Sequence, residues 1–341
     1  MKEFGSDFHF IPLQECSGKS LCDYFTDAIY YANGRQSIID LYKKSGWKRL
    51  WVPEYFCYEV LSSLGNNGVN LSFYLDYPLA EEDATLTALP YEEGDALLRV
   101  NYFGLRARRS NQGIPVPVIE DHTHDLIGDW AVNSDADWCI ASLRKTLPIA
   151  EGGMLWSPKA LKLESIPALL PENEWLASKR WSGMKKKSRY LNNEIDDKSE
   201  FRSDMISTEE AFDQMSVSAI DNETLEYLIH FDVNRWYKQK HANRLALKDV
   251  KNPSFGFVVI EPESTDCNPF SLTLLFDTVA ERNTFRKYLI NHCVYPAILW
   301  STPDIKSHEV TDFSEKMLSL HCDGRYNIDE IRQLSSIITG S

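Results

Sequence analysis

Long hydrophobic runs are missing from this chain. No apolar stretch approaches the ~20 residues that cross a bilayer, and Met1-Lys2-Glu3-Phe4-Gly5-Ser6-Asp7 lacks a hydrophobic signal region. A cytoplasmic protein without membrane contact is the expectation. Cations are also scarce: 36 Lys and Arg against 50 Asp and Glu leave a net charge of -14. Phosphate backbones are bound by basic faces, so nucleic acid is set aside as a partner. An anionic small molecule is still permitted, because it meets only the field of its own pocket. The one basic run, Lys185-Lys186-Lys187 with Arg189, reads as a solvated face. Seven cysteines (16, 22, 57, 139, 267, 293 and 322) include no C-x-x-C pair and no zinc-like spacing. Scattered and odd in number, they read as reduced thiols, several of them in a core. No internal repeat or low-complexity tract is present.

What is present is enough apolar material for a large core and a smaller domain: 341 residues, 43% hydrophobic and 25% charged. Strand-like runs recur through the first half, at Arg49 to Val52, Leu71 to Leu75, Ala96 to Val100, Val116 to Glu120, Asp137 to Ala141 and Met154 to Trp156. Helical spacing precedes them at Ser37 to Tyr42 and separates the first two at Tyr58 to Leu64. This alternation predicts an α/β domain with a mostly parallel sheet, whose ligands sit beyond the carboxyl ends of the strands. Residues 160 to 233 read as a helical, charged excursion, mobile or interface-forming. From 234 to 341 a long amphipathic helix, two strand-like runs (255–260 and 272–276) and helices at 280–291 and 328–338 predict a small α+β domain.

Chemistry-bearing residues fall at the strand ends: Tyr102 and Phe103, Asp121, and Lys145. A carboxylate and an amine at the ends of neighbouring strands is what pyridoxal phosphate chemistry requires. The amine bonds to the cofactor aldehyde, and the carboxylate keeps the pyridine nitrogen protonated so that the ring accepts electrons. Chemistry alone leaves the assignment open, since lysines and aspartates end many strands, and Asp121 also reads as a helix N-cap before Thr123 to Ile127. His122-x-His124 reads poorly as a metal pair without a third ligand nearby, so no metal is expected. Gly34 to Ser37 opens a helix, whose free N–H groups and dipole would face an anion; an ordinary Asn-Gly turn is the alternative.

The wording around these residues resembles the DegT/DnrJ/EryC1/StrS group of aminotransferases. It is carried by Val118-Ile119-Glu120-Asp121-His122-Thr123-His124 and by Lys145 with Glu151-Gly152-Gly153 six to eight residues after it. Asn33-Gly34-Arg35-Gln36-Ser37 resembles the group's phosphate-binding turn, and Val52-Pro53-Glu54-Tyr55-Phe56 its proline-aromatic segment. Ile298-Leu299-Trp300 and Leu318-Ser319-Leu320 resemble the small domain's closing segments. The likeness covers most of residues 30 to 330 and is densest from 116 to 156.

The resemblance implies a fold-type I pyridoxal phosphate enzyme with two domains. Residues 1–233 would form a large domain around a mostly parallel seven-stranded sheet, and residues 234–341 a smaller α+β domain. It further implies amino transfer, with glutamate as donor and a keto sugar, nucleotide-linked in many relatives, as acceptor. Lys145 and Asp121 would be catalytic. Gly34, Arg35, Gln36, Phe56, Tyr58, His124 and Ser142 would join them in binding the cofactor, with His124 at the polar edge of the ring. Tyr102, Arg144 and Arg325 would meet substrate, Arg325 by clamping a carboxylate or phosphate. A homodimer with shared sites is implied, with Arg189, Asn192 and Asn193 as cross-subunit contacts.

Three positions depart from the group. Ile140 stands where many relatives carry a phosphate-binding Ser or Thr, leaving Ser142 as the nearest substitute and Arg144 as a phosphate or substrate contact. Cys57 stands where an aromatic stacks on the ring, leaving Phe56, Tyr58 or the Tyr102/Phe103 pair to cover it. Arg35 replaces a small residue. Dehydrating relatives carry histidine at the lysine position, so Lys145 favours amino transfer. The alternatives are a pyridoxal phosphate lyase or desulfurase on the same fold, or a protein that kept the fold without turnover.

Overall fold

The computed structural model describes residues 3–14, 18–80, 86–301 and 307–340. Cys16 lies outside them; the other six cysteines are free thiols.

Among the described residues the chain forms strands β1 to β12. β1 (Phe4–Gly5) stands apart from the central sheet. The next seven, β2 (Ile29–Tyr31), β3 (Arg49–Pro53), β4 (Leu71–Tyr74), β5 (Asp95–Val100), β6 (Val118–Asp121), β7 (Trp138–Ser142) and β8 (Gly153–Trp156), build that sheet in the order β2-β8-β7-β6-β5-β3-β4. β4, β3, β5, β6 and β7 are mutually parallel, while β8 runs antiparallel to both β7 and β2. The expected α/β sheet of seven mostly parallel strands is therefore present.

Strict alternation makes this a two-faced sheet. Trp51, Leu97, Val118, Cys139, Ala141, Met154 and Trp156 enter one core cluster. Leu50, Val52, Ala96, Leu98, Ile119, Trp138, Ile140 and Leu155 enter the other. With both faces buried, the strands read as nearly continuous apolar runs, as parallel strands between helices do. Only β2 escaped the sequence reading; three residues at an edge are too short to show a period.

Helices α1 (Leu21–Tyr24), α2 (Gly34–Lys44), α3 (Tyr58–Asn66) and α4 (Asp129–Val132) lie in the first half of the chain. The 160–233 excursion holds α5 (Pro171–Leu191), α6 (Ser199–Gln214) and α7 (Asn222–His230). α5 and α6 pack on each other, and α5 has a clear buried face at Leu176, Ala177, Arg180, Trp181, Met184 and Lys187. Two of those six are cations, which is why no apolar period was legible. Lys187 corrects the reading of a solvated basic run: its Nζ lies 2.6 Å from both Ser6 Oγ and Asp7 O and 3.2 Å from Glu3.

The C-terminal unit contains α8 (Val233–Leu247), β9 (Phe257–Val259), β10 (Leu272–Phe276), α9 (Val279–Asn291), β11 (Val294–Tyr295), α10 (His308–Lys316), β12 (Met317–Leu320) and α11 (Ile328–Thr339). β12, β10 and β9 form an antiparallel sheet. The 233/234 division falls at the start of α8, whose Val233, Trp236 and Tyr237 enter the large core while Leu247 enters the small one. The N-terminal segment, expected in the large domain, touches both cores: Phe8 enters the large one, while β1 pairs with β11 and Phe4 packs into the small one. No helix among the described residues is long and apolar enough to cross a membrane.

Candidate active site

Parallel register sets the site. Val100↔Asp121 and Asp121↔Ile140 are strand partners, so β5, β6 and β7 end side by side. Beyond β7 a 3₁₀ turn, Leu143–Lys145, carries Lys145, and the chain returns through Gly152 and Gly153 into β8. Gly152 has φ +136°, and a Cβ on Gly153 would lie 2.3 Å from the Asn33 carbonyl. This glycine pair brings the β7–β8 connection against the first turn of α2. A Cβ on Gly34 would likewise sit 2.9 Å from Ser142 Cβ. The helix N-terminus and the lysine turn are therefore in direct contact.

These elements enclose a cavity of about 380 Å³, lined by Asn33, Gly34, Arg35, Phe56, Cys57, Asp121, Thr123, His124, Ile140, Ser142, Arg144, Lys145, Glu209, Phe270 and Trp300 among others. Of the expected site residues, Gly34, Arg35, Phe56, Asp121, His124, Ser142, Arg144 and Lys145 meet here. Gln36, Tyr58, Tyr102 and Arg325 do not. The Gln36 side chain is taken up by Ser216 O and Ser218 N. Tyr58 points to solvent from the start of α3. Tyr102 is buried behind the site, its hydroxyl donating to Tyr55 O at 2.7 Å. Arg325 is sealed against Asp323 at 2.8 Å and lies over the Phe8 ring at 4.0 Å, which removes it from any substrate clamp.

Asp121 is buried, which pushes its carboxyl up, while the Thr123 hydroxyl and N–H hold back part of that rise. Thr123 N–H donates to Asp121 Oδ1 at 2.8 Å. The Asp121 and lysine turns are tied by Ser142 N–H donating to Thr123 Oγ1 (2.9 Å) and Thr146 Oγ1 donating to Thr123 O (2.6 Å). His124 accepts from Phe103 N–H on Nδ1 at 3.4 Å, which leaves its other ring nitrogen as the donor. Burial first, then the charges of Lys145 and Lys240, push its pKa down to about 3, so the ring is neutral. Trp300 stacks on it at 5.6 Å and 24°, and stands 6.2 Å from Phe56.

Lys145 extends into the open cavity. Its pKa falls to about 8, first because of the Arg144 charge beside it and then because of burial; Glu209 opposes both. Cys57, also at the wall, donates to Glu59 at 3.1 Å. Burial and that carboxylate push the thiol up to about 11, so it is protonated at neutral pH.

The sequence reading missed Asn33, Thr123, Glu209 and Trp300 as site residues. Asn33 was visible only as the first residue of the segment that resembles the phosphate-binding turn, and Trp300 only as part of a closing segment. Nothing in the sequence pointed to Glu209, which arrives from the excursion to pair with Arg144 at 2.5 Å. One premise of the metal reading changes, that no third donor lies near His122. His122 does have further donors: Glu120, His122 and Cys139 present ligand atoms within 4.8 Å of one another, all buried, and His124 is not among them. Glu120 there already binds Asn111 (2.7 Å), Ser134 (2.5 Å) and His122 (3.2 Å), a hydrogen-bonded core cluster.

The residues present fit pyridoxal phosphate. Asn33 Nδ2 is a buried donor without a hydrogen-bond partner at the mouth of α2, where a helix N-terminus favours an anion. An amine and a buried carboxylate share the same cavity.

No family model and no curated protein matches the sequence. Solved structures do. The chain is similar to PseC of Helicobacter pylori, an aminotransferase involved in pseudoaminic acid biosynthesis (12% identity, TM-score 0.63, covering 99% of this chain and 98% of that one). It is similar to Spr1654 of Streptococcus pneumoniae, a putative sugar aminotransferase (11%, 0.62, 98% and 93%). It is also similar to a DegT DnrJ EryC1 StrS aminotransferase from Brucella abortus (14%, 0.57, 94% and 87%). The class so defined is a fold: this chain has the same two-part α/β architecture as these proteins over nearly its whole length.

Proposed function

We propose that this protein is a pyridoxal phosphate-dependent aminotransferase that takes an amino group from glutamate and delivers it to a keto sugar. The observation that carries the reading is the convergence of Lys145, Asp121 and neutral His124 on one cavity closed by the N-terminus of α2. Relatives in fold support it. Spr1654 has been solved in PLP and PMP forms, and DesI with its TDP-sugar product. When bound, the cofactor supplies an aldehyde for the amine and a protonated ring that withdraws electrons from the substrate carbon. Asn33, Gly34, Arg35 and Ser142 would hold its phosphate, and Asp121 would hold the proton on its ring nitrogen. His124 would donate to the ring's polar edge, while Phe56 and Trp300 exclude water from its faces. Lys145, with its pKa near 8, is placed to accept and return the proton at the substrate carbon.

Against the desulfurase alternative, burial and the hydrogen bond to Glu59 push the Cys57 thiol up, away from the reactive thiolate form. A homodimer in the cytoplasm belongs to the same proposal, with exposed Arg189, Asn192 and Asn193 at the end of α5 as contacts to the partner. The test is a half-reaction: glutamate should convert the visible absorption of the cofactor-loaded protein to that of the amine form, and a keto sugar should reverse it. Failure of every amino donor in a broad panel would overturn amino transfer.

A further inference from the structure

We propose that Arg144 and Arg180 form an anion subsite at the edge of the Lys145 cavity, which Glu209 fills from within the chain and an acidic ligand group takes over. The inference rests on the reading above for which ligand arrives, and on the geometry for the subsite itself.

Glu209 projects from α6 between two guanidinium groups. One carboxylate oxygen lies 2.5 Å from Arg144 Nη2 and the other 3.4 Å from Arg180 Nη1. The cations are fixed: the side chains of Arg144 and Arg180 are 6% and 7% exposed, and Arg180 is further held by Met205 O (3.2 Å), Thr208 Oγ1 (3.1 Å) and Asp7 (3.3 Å). The carboxylate is less enclosed: its side chain is 39% exposed, so one side of it faces solvent. Burial works against the charge of Glu209, yet Arg144, Lys145 and Arg180 together hold its carboxyl well below the usual range.

Two buried guanidinium groups this close repel each other unless an anion lies between them. Their planar donor forks match a group with two charged oxygens, either a carboxylate or a phosphate monoester. Both Arg144 and Glu209 line the cavity that holds Lys145 and the first turn of α2. A ligand entering that cavity therefore meets Arg144 already occupied by the Glu209 carboxylate, with Arg180 behind it on the other carboxylate oxygen, and must displace Glu209 to reach both. Glu209 is then an internal competitor that lowers affinity for ligands too weakly charged to expel it.

The test titrates the purified full-length protein as isolated, with any bound cofactor retained, with inorganic phosphate in one arm and succinate in the other. Glu209→Gln removes the competing charge, and losing charge-assisted bonds of this kind should tighten one of the two anions by about tenfold or more. Adding Arg144→Met to that variant should abolish the gain. Tightening for phosphate alone identifies a phosphate monoester as the natural occupant, and tightening for succinate alone identifies a carboxylate. Thermal shifts read the same binding if Glu209→Gln is destabilised, and Glu209→Asp, which withdraws the charge by one methylene, should give an intermediate effect. Unchanged or weaker binding of both anions in Glu209→Gln would overturn the subsite. Failure of the pyridoxal phosphate reading would show separately, as no cofactor fixed to Lys145, with these titrations unaffected.

Discussion

Replacing Arg144 by methionine should raise the pKa of Lys145. An ordinary lysine titrates at 10.5; Lys145 is brought down to about 8, with the Arg144 charge the largest cause and burial the second. Glu209 pulls the other way and is itself bound to Arg144. Removing Arg144 deletes the main depressing influence and frees the Glu209 charge to act on Lys145, so both changes have the same sign. If Arg144 supplies even half of the fall, the midpoint rises by about one unit. The uncharged fraction of an amine below its midpoint falls tenfold per unit, so Lys145 at neutral pH becomes about tenfold less nucleophilic. Competitive labelling with acetic anhydride, a neutral reagent, would read this as the pH dependence of Lys145 acetylation, followed on its own peptide. Arg144→Lys keeps the charge and should keep the low midpoint. An unchanged midpoint in Arg144→Met, or a lysine variant that behaves like the methionine one, would refute the electrostatic account.

Other substitutions follow from the same geometry. Asp121→Asn should fold and retain much of its cofactor affinity, while amino transfer falls by orders of magnitude because the ring proton loses its partner; steady-state kinetics would show it. Gly34→Ala forces a Cβ to within 2.9 Å of Ser142 and should cost about 1–3 kcal/mol in a thermal or denaturant melt. His124 has a folded pKa of about 3 against 6.5 for the free side chain. Its contribution to stability is therefore complete above pH 6.5, declines below that value and is lost as the pH falls through about 3; an NMR titration of its ring would show neutrality down to that region. Mixing Lys145→Ala with a variant altered in residues 185–195 should restore partial activity if the sites are shared across a dimer, and a monomer that still turns over would contradict the proposed assembly.

The sheet was legible because its strands are buried on both faces and carry unbroken apolar runs, and because Asp121 ends one strand and Lys145 lies in the turn just beyond another. Gly34, Gly152 and Gly153 were legible as turn signals, though only the structure shows that they make one contact, α2 against the lysine turn. The α5–α6 hairpin reads from sequence as a charged excursion because its buried stripe includes Arg180 and Lys187, whose charges are paired by distant residues such as Asp7, Glu3 and Glu209. No period in the sequence reports such pairs. Arg325 departs for the converse reason: the family resemblance implied a place near substrate, but Asp323, two residues earlier, captures it. Trp300 could be found only after folding, since it belongs to the C-terminal unit and reaches His124 across 176 residues of sequence.

Whether Lys145 holds pyridoxal phosphate can be read from the bond between them. The purified protein, incubated with the cofactor, should show a visible absorption band that borohydride bleaches, and peptide mass spectrometry should then find the reduced cofactor on Lys145. Lys145→Ala should lose both the band and the label. A normal, reducible band in Lys145→Ala, or a label fixed to another lysine in the unaltered protein, would contradict the account.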